Sequence, residues 1–302
     1  MMLKRSGLFS GAVEGVTIER ATKALDLIQA QRLVHEVYTV TGYINPDPCH
    51  LRVRIFEATA LMATFVAKRN GRVIGVLSIQ EDSEELGLPS DKAFKSELDA
   101  LRSAKVKLAE ATNQVITEEF RKTAVATELM RCAVAHLTKA GFDEVIAAVS
   151  PSHLGFYQLL NFREVGSERS YSDKIEDPVV ALSMDINQYR KPASALDDAQ
   201  HFVHEFMAKK NYFLQMVEGW GIEAEARFLE PTLLRRLFIT ETGFITQCSD
   251  AELRFLERHW GSRTFNAATG RSFFAALNNW WLALLNVLNI RSDQVPVLSL
   301  LR

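Results

Sequence analysis

The chain has 302 residues, of which 47% are hydrophobic and 24% charged, and its formal net charge at pH 7 is -2. This is the composition of an ordinary globular protein without the basic excess of a nucleic-acid binder, so no nucleic-acid partner is expected. Its three cysteines, Cys49, Cys132 and Cys248, lie far apart, which argues against a disulfide framework or a zinc site and favours a cytoplasmic protein without a metal.

The first predicted elements are a strand, a helix and a hairpin. The β-rich run Val16–Arg20 predicts a strand, and apolar residues at helical spacing predict a helix over Thr22–Tyr38 with Thr22 as its cap. The β-rich runs Ala63–Arg69 and Arg72–Ile79 flank Asn70-Gly71. This pair suits a type I′ turn, because both central residues of that turn take positive φ. We therefore expect a β-hairpin here.

A polar stretch follows at residues 81–106 and contains the chain-breaking sequence Gly-Leu-Pro-Ser. The helix predicted after this break carries Phe94, Leu98 and Leu101 on one face, which would suit a lid or a wall. Residues Lys107–Ile116 then predict a strand.

The next segment alternates helices and strands. Residues Thr123–Ala140 predict a helix. A short helix with Ser152 as its cap should run through Leu160 and end at Asn161, which tolerates the left-handed conformation. Three further strands are predicted: Val145–Val149, Phe162–Gly166 and Val179–Ile186. The resulting order, β-α-β-β-α-β-α-β-β, predicts an α/β fold with a mixed sheet and helices on both faces.

The pattern changes near residue 190, and all that follows is predicted to be helical. We expect two units, residues 1–189 and a helical C-terminal region over 190–302. Ser249 and Glu252 form the sequence pattern of a capping box. Residues Ser272–Ile290 carry no charge but four asparagines on one helical stripe. Packing within the protein, a homodimer interface, contact with a membrane surface and a membrane span all stay open for this helix.

The stretch Glu144–Gly166 contains a recognisable motif. Phe156, Tyr157 and Phe162 match the F-Y-x-x-x-G-F pattern of the GNAT acyltransferase superfamily, with Asn161 at the glycine position. The chain thus resembles this superfamily, and the resemblance implies a GNAT-like sheet in which the tyrosine protonates the thiolate leaving group.

A second GNAT pattern, R/Q-x-x-G-x-G/A, corresponds to Arg121-Lys122-Thr123-Ala124-Val125-Ala126. Ala126 matches, and Ala124 replaces the first glycine. The resemblance implies that backbone N–H groups of this loop bind the phosphates of an acyl-phosphopantetheine donor, either acyl carrier protein or acyl-CoA. A carrier-bound donor presents a single phosphodiester, so it needs fewer contacts with the loop. Arg121 and Lys122 would meet that phosphate or an acidic carrier surface.

Other stretches narrow the resemblance to the long-chain N-acyl amino acid synthases, which are relatives of the acyl-homoserine-lactone synthases. They span roughly residues 17–187: Val37-Tyr38 with Thr41-Gly42-Tyr43-Ile44, Gly87-Leu88-Pro89, Glu97–Arg102, Ala109-Glu110 and Pro151-x-His153. The resemblance implies transfer of a long acyl group from acyl carrier protein to the amine of an amino acid.

The resemblance also suggests catalytic roles. Glu110 matches the family's strand glutamate and is the predicted general base, directly or through a water, and Tyr157 is the predicted proton donor. His153 would contact the pantetheine arm or polarise a carbonyl. Structural roles stay open for each: a strand-edge ion pair for Glu110, aromatic packing for Tyr157 and a loop anchor for His153.

Further residues are candidates for binding the two substrates. Arg52 and Arg54, one strand period apart, would grip an acceptor carboxylate, or they are exposed strand arginines. Phe156, with Phe65 and Phe94, would line an apolar tunnel for the acyl chain, or belong to the core.

Three other functions compete with this interpretation: a short-chain acyl-CoA-dependent N-acetyltransferase, a lactone synthase, and a non-catalytic module that binds an acyl carrier protein or lipid. We expect a cytoplasmic enzyme, with the inner face of the membrane as a further place of action through its C-terminal helices.

Overall fold

The computed structural model describes residues 9–171, 178–190, 198–220 and 230–270. The uncharged helix expected over Ser272–Ile290 therefore lies outside the described residues, as does most of the predicted linker after Arg190. Within the described ranges, no helix is both long enough and apolar enough to cross a membrane.

A seven-stranded mixed sheet forms the centre of the molecule. Its strands are β1 (Val16–Arg20), β2 (Met62–Arg69), β3 (Arg72–Glu81), β4 (Leu108–Ile116), β5 (Glu144–Val149), β6 (Arg163–Ser170) and β7 (Pro178–Asp185). They lie in the order β1-β2-β3-β4-β5-β7-β6. All neighbours are antiparallel except β4 and β5, which run parallel.

Helices cover both faces of this sheet. The α-helices of the described ranges include α1 (Ala24–Val40), α2 (Asp91–Ser103), α3 (Val125–Lys139), α4 (Leu154–Leu159), α5 (Asp198–His204), α6 (Pro231–Arg235), α7 (Phe244–Gln247), α8 (Asp250–Trp260) and α9 (Ser262–Thr269). Helices α5 and α6 continue as π-helical turns over Glu205–Lys209 and Arg236–Thr240. Apolar residues of α1 pack with Val66 and Val76 on one face, and α3 packs with Phe65 and Leu77 on the other. The predicted mixed sheet with flanking helices and further helices after it is confirmed.

Local turn chemistry agrees with the sequence at three places. Asn70 and Gly71 both have positive φ, 51° and 76°, as the type I′ hairpin requires. Asn161 ends α4 with a φ of 65°. The Ser249 hydroxyl accepts from the Glu252 backbone N–H, which completes the capping box of α8.

Two predicted helix caps are wrong. Lys23, not Thr22, occupies the N-cap position of α1. A 3-10 turn over Pro151–His153 precedes α4, and the Ser152 hydroxyl lies 3.0 Å from the Ser150 hydroxyl instead of capping the helix. In both cases the helix begins one residue later than the cap pattern indicates.

The described helices after β7 belong to two hydrophobic clusters. Phe206, Met207 and Phe213 join the core between α3 and the sheet. Helices α6 to α9 form a second cluster around Trp260, which also takes in Ile28 of α1. Residues 51–60, hereafter the 51–60 segment, pack into this cluster through Leu51 and Ala58. The predicted division of the chain near residue 190 stays a prediction.

Candidate active site

The two parallel strands separate at the residue predicted to be the base. Strands β4 and β5 pair only from Leu108/Glu144 to Glu110/Ile146, although β4 continues to Ile116. A gap therefore opens in the sheet directly after Glu110, and the side chains beyond it have no neighbouring strand on that side.

Glu110 is buried, and only 2% of its surface is exposed to solvent. Its Oε2 accepts a hydrogen bond from the backbone N–H of Ser90 at 2.8 Å, at the end of the turn that precedes α2. Burial raises the pKa of Glu110 to about 7, against the opposing effects of the Ser90 hydrogen bond and the Arg54 charge. A carboxyl with this pKa exchanges its proton near neutral pH, which is what a general base requires.

Tyr157 lies on the other side of the gap. Its hydroxyl donates a hydrogen bond of 2.7 Å to Oε1 of Gln114, so a residue that follows β5 is joined to β4. The ring is partly buried and meets Phe162 edge-on, with centroids 5.1 Å apart. Burial raises the pKa of Tyr157 above its ordinary value, so the phenol is protonated at neutral pH.

The predicted phosphate loop lies at the start of α3. Arg121 and Lys122 are exposed, and Lys122 has a φ of 65°. The Thr123 hydroxyl donates to the Phe120 carbonyl at 2.7 Å, and Ala124 is buried at the N-cap of the 15-residue helix. The loop therefore combines two exposed cations with the N-terminus of a helix, both of which attract an anion.

His153 and Phe156 both lie in the α4 region but differ in their exposure to solvent. His153 is exposed, and its Nδ1 lies 3.4 Å from the Ser152 hydroxyl. Phe156 is partly buried and packs on the main core next to Tyr157. Phe65 is also in that core, facing α3, and Phe94 lies under Gly166.

Arg52 and Arg54 are not on a strand, and neither is exposed, so that part of the prediction is wrong. They lie in an extended loop before the 3-10 turn Phe56–Ala58. Arg54 Nη2 lies 2.6 Å from Oε1 of Glu57, and Asn113 Nδ2 donates to the same oxygen at 3.1 Å. Burial lowers the pKa of Arg54, but the Glu57 carboxylate outweighs it and raises this pKa above its ordinary value. Arg54 is therefore held by a buried ion pair.

Arg52 is available for a ligand. Its backbone N–H donates to the Gln31 carbonyl at 3.1 Å, and burial lowers the pKa of its guanidinium. Its Nε has no hydrogen-bond partner among the described residues. A buried guanidinium N–H without a partner is costly, so a bound acceptor group would stabilise it.

Arg52 lines a cleft on the α1 face of the sheet. Its polar lining includes Arg52, Gln31, Glu57, Ser78 and Asn113. Its apolar lining includes Leu27, Val34, Met62, Val76, Leu233 and Leu237. None of Phe65, Phe94 and Phe156 belongs to this lining, so the aromatic tunnel predicted from them is a different place from the cleft.

The cleft lies close to the predicted base. Ser78 lines the cleft, and Gln80, two residues further along β3, is the cross-strand partner of Glu110. Two residues of a strand span about 7 Å. Sequence reasoning missed Glu57, whose position three residues after Arg54 was an available signal, and Gln114, for which the sequence carried none.

The chain is similar to known proteins in sequence and in fold. The model of a family described as N-acyl amino acid synthase FeeM matches residues 29–185, more than half of the chain. The solved structure of FeeM, an N-acyl amino acid synthase from uncultured soil microbes, is 22% identical with a TM-score of 0.52, over 58% of this chain and 92% of that chain. That likeness shows the fold.

Two further structures are more distant. A CoA-dependent acyl-homoserine lactone synthase, BjaI, is 14% identical with a TM-score of 0.44, over 64% of this chain and 88% of that one. An N-acetyltransferase described as putative, from Lactobacillus plantarum, is 14% identical with a TM-score of 0.43, over 57% and 99%. No curated protein matches the chain.

Proposed function

We propose, because the chain belongs to the N-acyl amino acid synthase FeeM family, that this acyltransferase moves a long-chain fatty acyl group from acyl carrier protein to the amine of an amino acid. The observation that carries the proposal is the buried carboxyl of Glu110, with a pKa of about 7, at the point where β4 and β5 separate. The gap beyond it gives a thioester access to this carboxyl.

The reaction needs one proton removed from the amine and one delivered to sulfur. Glu110, directly or through a water, takes the proton from the amine nitrogen as that nitrogen bonds to the thioester carbon. The carbon–sulfur bond then breaks, and Tyr157 gives its proton to the leaving sulfur. The hydrogen bond from Tyr157 to Gln114 holds the phenol at the gap, and the hydroxyl hydrogen turns from Gln114 to sulfur in that step. Amide and free thiol are the products.

The donor would be held at the start of α3. Arg121 and Lys122 are exposed there and can meet both a phosphodiester and the acidic surface of a carrier protein. Backbone N–H groups of the loop would face the phosphate, and His153, which is also exposed, would contact the pantetheine arm.

The acceptor would bind through Arg52. The Arg52 Nε is buried and unpartnered among the described residues, so an amino acid carboxylate would complete its hydrogen bonds. Arg54 is held by Glu57, and its charge acts on Glu110, so we assign it to positioning instead of direct binding.

Product analysis by mass spectrometry tests the proposal. The purified protein is incubated with long-chain acyl carrier protein, and separately with acetyl-CoA, each with a mixture of the amino acids. We expect an N-acyl amino acid from the first donor, and strong loss of this product in Glu110→Gln. Product from acetyl-CoA alone would make the protein a short-chain transferase, and no product from either would contradict the proposed function.

The carrier-protein assignment has its own test. Reversal of both loop charges, Arg121→Glu with Lys122→Glu, should raise KM for acyl carrier protein by about tenfold or more. A long-chain acyl-pantetheine thioester without a phosphate or carrier is the matched donor, and its KM should stay unchanged. Equal effects on both donors would remove the loop from donor recognition.

A further inference from the structure

One side of the cleft next to Glu110 is formed by residues that lie outside the family match. Leu233 of α6 and Leu237 of its π-helical continuation line the cleft, and together they are hereafter the leucine wall. The family model ends at residue 185. This part of the cleft is therefore contributed by helices that follow the matched region.

The same helices hold the segment that carries Arg52. Trp260 Nε1 donates to the Ala58 carbonyl at 2.7 Å, and the Ala60 backbone N–H donates to Nε2 of His259 at 3.0 Å. Trp260 is 3% exposed. The 51–60 segment and the C-terminal helices are thus fixed to one another, and the guanidinium keeps a set position relative to the leucine wall.

The polar part of the cleft suits an α-amino acid. Gln31 is 7% exposed and lines the cleft, and its Oε1 has no hydrogen-bond partner among the described residues. The Nε of Arg52 also has no hydrogen-bond partner among the described residues. An amine N–H and a carboxylate would satisfy this acceptor and this donor together, since buried polar groups are normally paired.

The cleft is a poor site for the alkyl chain of the donor. Arg52, Gln31 and Glu57 would lose hydration against a hydrocarbon without gaining partners, which costs free energy. The apolar side of the cleft, by contrast, faces Leu233 and Leu237 and suits the side chain of an acceptor.

We propose that residues 231–240 complete the acceptor site and that Leu233 and Leu237 select the acceptor's side chain. The site takes an α-amino acid with a sizeable apolar side chain, with its carboxylate at Arg52, its amine toward Gln31 and its side chain against the two leucines. This inference rests on the proposed function and names the acceptor class and the residues that determine it.

Variants of the leucine wall test the inference through acceptor preference. Leu237→Ala enlarges the apolar side, so the ratio of kcat/KM for tryptophan over leucine should rise by about tenfold, since one methylene in an apolar pocket changes discrimination by roughly that factor or more. Leu233→Phe fills the same space without leaving a cavity, and should lower kcat/KM for phenylalanine by about tenfold while alanine is little affected.

Leu234→Ala is the matched control. Leu234 is as fully buried as Leu237, in the same cluster, but does not line the cleft. It should lose stability as Leu237→Ala does and keep the wild-type acceptor preference. If Leu237→Ala fails to fold, Leu233→Phe still decides the question, because the Leu233 side chain lies at 8% exposure and is enlarged, not removed.

The outcomes separate the two proposals. Unchanged acceptor ratios in both wall variants of an active enzyme would overturn the inference and leave the proposed function intact. An inactive wild type would count against the proposed function, and the inference then depends on binding. Leucine or phenylalanine alone should raise the Tm of the wild type but not of Leu233→Phe, and equal shifts, or none, would overturn the inference.

Discussion

Replacing Glu110 by glutamine should stabilise the folded protein at pH 8 while removing its acyl transfer. The carboxyl has an ordinary pKa of 4.5, and burial raises it to about 7 in the folded protein. The folded state therefore binds this proton more tightly than the unfolded state, so stability is retained below pH 4.5 and lost as pH rises through 7. At about 1.36 kcal/mol for each tenfold change in proton affinity, the loss is about 3 kcal/mol.

Glutamine does not titrate, so the variant should escape this loss. Urea unfolding at pH 4.5 and pH 8 measures the difference in the free energy of unfolding between variant and wild type, and other titrating groups cancel in that difference. We expect the difference to grow by about 3 kcal/mol in favour of the variant from the lower to the higher pH. Glu118→Gln, a replacement at an exposed position, should show no such growth. A difference independent of pH would refute the argument that burial makes Glu110 a base.

Four further predictions concern the pH profile of the wild type and replacements at Tyr157, Gly166 and Glu57. Wild-type kcat/KM should rise with pH to a plateau with an inflection near 7, and Tyr157→Phe should lower kcat by about 10²-fold or more at every pH, as steady-state kinetics would show. Gly166→Ala would place a Cβ 2.5 Å from Cδ1 of Phe94, so we expect a loss of about 1–3 kcal/mol, measured by urea unfolding. Glu57→Gln should cost about 3–5 kcal/mol in the same measurement, because it leaves the buried Arg54 charge without its partner.

Matched controls exist for the two stability predictions. An added Cβ at Gly155 meets nothing within 4 Å, so Gly155→Ala should be tolerated. The exposed pair Arg236–Glu241, at 3.3 Å, should lose about 1 kcal/mol or less on Glu241→Gln. Similar losses in these controls and in the buried variants would show that close packing and the buried ion pair are not the causes.

Much of the fold follows from local patterns in the sequence. The hairpin depends on Asn70-Gly71, whose positive φ values only a few residue types adopt easily. Strand β6 was predicted too short, to Gly166, because it is an edge strand whose polar residues up to Ser170 lack the alternation of a buried strand. Alternation of apolar and polar residues does not predict the part of a strand whose side chains are exposed to solvent.

The candidate site was less accessible to sequence reasoning. Glu110 and Tyr157 were suggested by the family resemblance and by their elements, but the cleft is made by tertiary contacts. The spacing of Arg52 and Arg54 suggested a strand, whereas the 51–60 segment has no strand partner and is held by Glu57 and by Trp260. The contact from Trp260 joins residues about 200 positions apart, and no periodicity encodes it.

The proposed site must meet two requirements that oppose each other, since a carboxyl with a pKa near 7 must be buried while the proposed amino acid acceptor must reach it from solvent. The structure separates these requirements along β3 and β4. Glu110 is enclosed at the point where β5 leaves β4, and the open cleft begins at Ser78, one strand period away. The ion pair of Arg54 and Glu57 links the carboxyl of Glu110 to the cleft. Glu57 lines the cleft, and the charge of Arg54 lowers the pKa of Glu110 against the effect of burial. The proposed base is therefore tuned by the same segment that forms one side of the proposed acceptor cleft, and the C-terminal helices that hold this segment contact both through it.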